Sequence, residues 1–436
     1  MKRLKFLQSI PRRQLIQNGI FGLLLLLALM RHFRVTVFLQ RDHIPGDFAI
    51  IWTAGLAAQR GIDMYDPQAA RELALAAVGE VRSGWYSVPL WSTTHPPSEF
   101  PLTSLLALLP WSVAASIWLV FLQFCFFAIL GWLLVLLRRH GASLNAQWIF
   151  GILGVLFIPA QFSIEIGQLD LPLLALILAA LALAQRGHSG RAGIAIGIAA
   201  CIKPTPVILL GLFLLRKDWR AIVGACLTAL FLIYLSILLV GFESWATWLS
   251  RILPELLKGS TLANNQSFNG IGFHLFAAPE LLHSLAPPPN IASARALTLI
   301  LSIGFLGGLA TIAWRFGRET AGWRFQIVYT LFAVYMLVGS SISWDYYYTW
   351  ALLPLALLLA PRAGLLRTRR DWIWMIVYLG AYGLIALPAR FYVFEPSQYE
   401  QYWFLRLLIP VHVYGALLLG GLLIRALWLN RFDKIK

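Results

Sequence analysis

Apolar residues dominate the chain in long runs separated by short polar breaks. Such runs occupy residues 15–37, 113–137, 146–163, 169–184, 192–215 and 221–240 in the first half, then 294–313, 325–340, 348–360, 372–387 and 405–427. A bilayer core of roughly 30 Å needs about 20 apolar residues in a helix, so these runs predict membrane-spanning helices. A shorter run at 100–110, with proline near each end, is the candidate for another span, which brings the expected total to about twelve. The chain is thus expected to be an all-α integral membrane protein, with residues 1–436 forming a single polytopic domain.

Two stretches between the runs are too long to be simple turns. One covers about 38–100 and the other about 241–293. They contain Trp52, Trp85, Trp91, Trp245 and Trp248, with amphipathic segments near 48–60 and 244–257. Segments of that kind are expected to lie in the membrane interface.

Composition strengthens this picture. Hydrophobic residues make up 59% of the chain and charged residues 12%, and the mean hydropathy is +0.73, whereas soluble domains carry roughly 25% charged residues. The formal net charge of +16 would suggest nucleic acid in a soluble protein. Here most Lys and Arg fall in short loops and at the termini, which is the positive-inside pattern, and no nucleic-acid partner is expected. Arg315, Arg318 and Arg324, then Arg362, Arg367, Arg369 and Arg370, then Arg425, Arg431, Lys434 and Lys436 mark successive cytoplasmic segments. Both termini are then cytoplasmic, and 38–100, 241–293, 341–347 and 388–403 lie outside.

Between 100 and 216 two threadings remain, because Arg138–Arg139 and Arg186–Arg191 face the cytoplasm in one and the exterior in the other. A hairpin broken at Lys203-Pro204-Thr205-Pro206 would decide between them. The amino-terminal residues resemble a signal peptide, but Arg31, His32 and Arg34 stand where small cleavage-site residues belong, so an uncleaved first span is expected. Cys125, Cys201 and Cys226 have no metal or disulfide spacing, and neither metal nor cofactor is implied.

Polar residues within or beside the apolar runs are the candidates for chemistry. Asp47, in IPGDFAIIWTAG, either caps a helix starting at Phe48 or serves as a general base at the membrane surface. Gln168 and Asp170, in IGQLDLP, either line a sugar site or satisfy a helix break. Lys203 stands alone in an apolar stretch, where it meets an anion such as a phosphate or snorkels to water. Asn265 and Gln266, beside Asn264 and Ser267, offer amides to sugar hydroxyls or form a turn. Arg34, with Arg31 and His32, is a phosphate cluster or an elongated helix end. His95, in THPPSEFP, bonds phosphate or caps the next span. Asp63 and Asp66, in GIDMYDP, have the setting of turn residues. There is no Walker loop, dinucleotide glycine fingerprint, His-Glu-x-x-His or hydrolase serine elbow, and no soluble domain to hold a nucleotide sugar.

Six segments in order, PGDFAIIWTAGLAAQRGIDMYDP, HPPSEFPLTSLLALLP, IGQLDLPLLALILAALAL, CIKPTPVILLGLFLLRKDWR, NNQSFNGI and SISWDYYYTWALLPLALLL, resemble the bacterial polyprenyl-phosphate-mannose-dependent mannosyltransferases of glycosyltransferase family 87, between about residues 46 and 361. That resemblance implies the multi-span GT-C fold in a bacterial plasma membrane. It also implies a polyprenyl-phosphate sugar donor, a glycan or glycolipid acceptor, and an inverting transfer with Asp47 as base. The family tends to carry histidine after the Trp-Asp pair, where this chain has Tyr346; Asp345 is then the polar participant, and 346–348 can equally be an interfacial aromatic belt. A transporter or flippase for a lipid-linked substrate is the alternative class. It would call for internal repeats and ion sites at the bilayer midplane, and no repeat is visible here.

Overall fold

The computed structural model describes residues 12–38, 46–78, 93–284, 288–317, 322–365, 371–388 and 391–429. Trp85, Trp91, Arg318, Arg367, Arg369, Arg370, Arg431, Lys434, Lys436 and the signal-like first eleven residues lie outside these. Among the described residues the regular structure is entirely helical.

Helices of eight residues or more are α1 (Arg12–Phe33), α2 (Gly46–Gln59), α3 (Pro67–Val78), α4 (Trp111–Arg139), α5 (Leu144–Val155), α6 (Ile158–Ile166), α7 (Asp170–Gln185) and α8 (Ser189–Ile202). They continue as α9 (Ile208–Leu215), α10 (Trp219–Thr247), α11 (Phe268–Phe276), α12 (Ala292–Phe316), α13 (Trp323–Val338), α14 (Trp372–Ile385) and α15 (Val411–Leu429). Six helical stretches are long and apolar enough to cross a membrane, and α7, α8, the 205–215 segment, α13 and α14 are shorter apolar helices.

Burial separates the helices into a centre and a periphery. In α13 every residue except Arg324 is buried, as is all of Leu352–Leu358. A helix apolar on every face belongs in a core or in lipid. These two elements take the core, and the stretch between them carries the SWDYYYTW motif. By contrast α10 and α12 expose Leu227, Leu230, Phe231, Leu299, Ile300 and Ile303, which water would not tolerate in such numbers.

Small residues set the tightest helix contact. A Cβ on Gly193 of α8 would overlap the Ala221 carbonyl oxygen of α10, and one on Gly224 would overlap that of Gly190. The two backbones touch there in the manner of small-residue packing between membrane helices.

Basic residues gather at one end of the bundle. His140, at the end of α4, meets Gln326 in the first turn of α13 at 2.7 Å, and Arg216 lies over the Phe325 ring at 4.6 Å. Arg315 lies over Trp428, and Arg425 reaches Asp371 and the carbonyls of Ala363 and Gly364. α8 leaves this end, breaks at Lys203, and α9 returns to it. Arg138–Arg139 and Arg186–Arg191 therefore share one end with Arg216, as the threading through a Lys203 hairpin requires. The 100–110 run, expected as a span, folds instead as one turn of α-helix and a short 3₁₀ segment, too short to cross a bilayer.

The opposite end is a cap in which the two long loops dock on each other. α2 is buried on nearly all sides, and so departs from the amphipathic surface helix expected at 48–60. Gly241, at φ 77°, breaks α10 where the apolar run ends. The segment beyond returns to the first loop: Trp248 Nε1 donates to the Thr94 carbonyl at 3.2 Å, and Arg251 donates to that of Tyr65 at 2.6 Å.

Candidate functional site

Three chain breaks at the cap end bring polar side chains together. Gly167, at φ 78° in the left-handed region that glycine adopts without strain, ends α6, so that Gln168 precedes α7, whose first residue is Asp170. Lys203 is extended between Ile202 and Pro204, since proline disfavours helix in the residue before it. Asp345–Ala351 form a 3₁₀ segment between α13 and the buried Leu352–Leu358 helix. Each break releases a polar residue from an otherwise apolar run.

Gln168 is the junction. Its Nε2 donates to Asp47 Oδ2 at 2.5 Å and to the Tyr346 hydroxyl at 3.3 Å. Its Oε1 accepts from Lys203 Nζ at 3.5 Å and from the Leu169 amide at 3.3 Å. A side-chain amide can do this because it carries donors and an acceptor without charge.

Lys203 is buried and pairs with both oxygens of Asp170, at 3.2 and 3.3 Å. Its Nζ also lies 3.8 Å from the Tyr347 ring centroid. A buried cation of this kind needs such partners. Trp350 Nε1 holds the Asp170 carbonyl at 3.1 Å and so anchors the start of α7.

Asp47 stands in the first turn of α2, partly buried, with its carboxylate on Gln168. Burial pushes its pKa above the usual carboxylate value, opposed by the Gln168 hydrogen bond, the charges of His95 and Lys203, and the Tyr346 hydroxyl. Phe48 beside it stacks on Trp118 at 5.1 Å, and Trp118 Nε1 donates to the Gly167 carbonyl at 2.8 Å. Asp47 and Gln168 are thus held in register by one aromatic bridge.

His95 borders the same cluster. Its Nδ1 meets the buried carboxylate of Glu99, and its carbonyl accepts from the Tyr65 hydroxyl at 2.8 Å. Asp345 lies one residue from Tyr346, with its carboxylate 3.7 Å from His412 Nδ1.

Three candidates sit differently. Asn265 Nδ2 donates to the carbonyls of Ser260 and Ser341, while its Oδ1 accepts from Ser267 and the Ser343 amide. Gln266 Nε2 donates to the carbonyls of Ala263 and Ile409, and its Oε1 accepts from the His412 amide. Both side chains bind their own chain. Arg34 is exposed on the π-turn that extends α1, while Arg31 donates to Gln161 at 2.7 Å and His32 Nε2 lies 2.9 Å from Gln123 Oε1.

Asp63 and Asp66 accept from the amides of Tyr65 and Gln68, as turn residues do. Glu99 and His412 were not singled out by the sequence, and Tyr347 was read there only as part of an aromatic belt. Glu99 was the most legible of them, four residues after His95. Among the described residues no three His, Cys, Asp or Glu side chains converge as a metal site.

The family model for glycosyltransferase family 87 matches residues 94–341, which include His95, Gln168, Asp170 and Lys203. The chain belongs to glycosyltransferase family 87. It is also 28% identical over 321 residues, 70% of each chain, to a polyprenol-phosphate-mannose-dependent alpha-(1-2)-phosphatidylinositol pentamannoside mannosyltransferase of Mycolicibacterium smegmatis. The protein is a multi-pass membrane glycosyltransferase in this family.

Proposed function

We propose that this glycosyltransferase moves a hexose, mannose by its relative's chemistry, from a polyprenyl-phosphate carrier to a hydroxyl of a glycan or glycolipid acceptor. The observation that carries the reading is the Gln168 amide, which joins the Asp47 carboxylate to Tyr346 while the buried Lys203 stands against its oxygen.

In this reading Asp47 takes the proton of the acceptor hydroxyl. The oxygen attacks the anomeric carbon from the face opposite the phosphate, the bond from that carbon to the phosphate oxygen breaks, and the configuration inverts. Polyprenyl phosphate leaves as its charge grows. Lys203 and His95 are the side chains that offset this charge, and no metal is required for it. Gln168 holds the base in place without adding charge. Asn265 and Gln266 build the wall that carries Asp345 and Tyr346, through Ser343 and Tyr348. Arg34, at the exposed end of α1, has the chemistry to meet a lipid phosphate at the rim.

The basic end is cytoplasmic under the positive-inside rule, and the cap with Asp47 faces outward from a bacterial plasma membrane. In this reading the six long helices, the five shorter ones and the buried stretch from 352 to 360 each cross the membrane once, which leaves both termini inside.

The test supplies purified protein with radiolabelled polyprenyl-phosphate mannose or with nucleotide-activated mannose, each with membrane extract as acceptor. Transfer from the lipid donor alone supports the reading. Transfer from the nucleotide donor alone, or uptake of label into sealed vesicles without transfer, would contradict it.

A further inference from the structure

A second charged cluster lies at the opposite end of the bundle from Asp47, where the chain turns from α9 into α10. There a cavity of about 900 Å³ opens between the start of α8, the 215–220 turn and the end of α12. Arg216, Lys217 and Arg220 line it, together with Trp219, Trp314 and Ser189. The tryptophans are exposed at 58% and 66%, as aromatic residues are at a membrane interface.

Arg216 Nη1 is buried and has no hydrogen-bond partner among the described residues, although the guanidinium lies over the Phe325 ring. A buried guanidinium nitrogen without an acceptor is a cost that a ligand would remove. Among the described residues Asp218 is the only acidic side chain lining the cavity, and it offsets one of the three cations.

Lys217 is the only non-glycine residue with positive φ among those described, at 55°. It occupies the left-handed position that closes α9: its amide donates to the Leu214 carbonyl at 2.9 Å, and the Asp218 amide donates to that of Phe213 at 2.9 Å. Glycine is the residue this motif favours, because it has no Cβ to strain. The chain instead holds a cation there despite local strain, next to the Arg216 nitrogen that lacks an acceptor among the described residues. α8 and α10 also begin at the cavity, and neither has a side-chain cap on its first amides.

We propose that this cavity binds the phosphate-bearing headgroup of an anionic phospholipid, with Arg216 and Lys217 on the phosphate and Trp219 and Trp314 bracketing it at the interface. Basic pockets between membrane helices bind such headgroups by the same chemistry. The site is separate from the transfer site, so its test does not depend on the donor or the reaction.

Native mass spectrometry and thermal unfolding of the full chain in detergent test the proposal. The probes are phosphatidylglycerol, phosphatidylcholine and inorganic phosphate, and the variants are Arg216→Gln, Lys217→Gly and Arg138→Gln/Arg139→Gln. Phosphatidylglycerol should be retained and should raise the unfolding temperature, and each of the first two variants should weaken it about tenfold. Lys217→Gly should unfold no lower than wild type without lipid, because it relieves strain, and should still lose lipid affinity. Equal retention of phosphatidylcholine, equal stabilisation by inorganic phosphate, or an equal loss in Arg138→Gln/Arg139→Gln would overturn the proposal.

Discussion

The side-chain amide of Gln168 donates to the carboxylate of Asp47 at 2.5 Å, although 121 positions separate them in the chain. This bond fixes a base against a neutral partner. Replacing Gln168 by Ala frees the carboxylate and leaves Lys203 without the Gln168 oxygen. Turnover should fall by about 10²-fold, with a smaller change in donor KM, as for loss of one preorganised contact. Steady-state kinetics with the lipid donor measures this. Gln168→Glu should be worse still, and should shift the acid limb of the rate profile to higher pH, because a second carboxylate disfavours ionisation of the first.

Asp47 links activity and stability in opposite directions. Burial raises its pKa, so the base is lost as pH falls through that raised value, and kcat/KM should decline below an acid limb above the ordinary carboxylate range. The sign for folding is reversed. A group with raised folded pKa contributes stability below its unfolded pKa, and this contribution disappears as pH rises through the folded value. Asp47→Asn should therefore abolish transfer while unfolding at the same or higher temperature than wild type at neutral pH. A large loss of stability in that variant would contradict the assignment.

The Lys203–Asp170 pair separates fold from function. Removing Lys203 alone leaves a buried carboxylate uncompensated, a loss of about 3–5 kcal/mol for a broken buried pair. Lys203→Met should express poorly. The double variant Lys203→Met/Asp170→Leu should recover much of the unfolding temperature but not activity. Recovery of activity in the double variant would reduce the lysine to a structural role.

Gly193 reports on the α8–α10 contact. Any side chain there must displace the Ala221 carbonyl, which stands where its Cβ would go, and the hairpin that ends in Lys203 rests on this crossing. Gly193→Val should lower the unfolding temperature by several degrees for a loss of about 1–3 kcal/mol by overpacking. Gly307→Ala, with open space around its Cβ, should be silent.

Much of this was legible in the sequence because apolar runs and prolines leave strong local signals. The 221–240 run ends where Gly241 breaks α10, and the Lys203-Pro204-Thr205-Pro206 break marks the hairpin. What remained hidden depends on contacts distant in the chain. The 100–110 run looks like a span because it is apolar, yet its carbonyls serve α2: Trp52 donates to that of Leu106 and Gln59 to that of Ser104. Likewise α2 suggests a surface helix by its place in a tryptophan-bearing loop after the first span, yet its apolar residues point to all sides, and the second loop and 3₁₀ turns cover it. Asn265 and Gln266 have the chemistry of sugar ligands, and only the fold reveals that their polar atoms face Ser343, Ile409 and His412. Pairing of Asp47 with Gln168 could not be read from spacing, since it depends on α2 and the α6–α7 turn meeting in space.

The most direct measurement is the transfer of labelled mannose from polyprenyl phosphate by wild type and Asp47→Asn, with the anomeric configuration of the product determined and donor binding measured in parallel. Wild type should give an inverted product, and the variant should lose about 10³-fold or more in turnover on removal of an essential base, with donor binding unchanged. A retained anomeric configuration, or substantial turnover by Asp47→Asn, would contradict the assignment of Asp47 as the base.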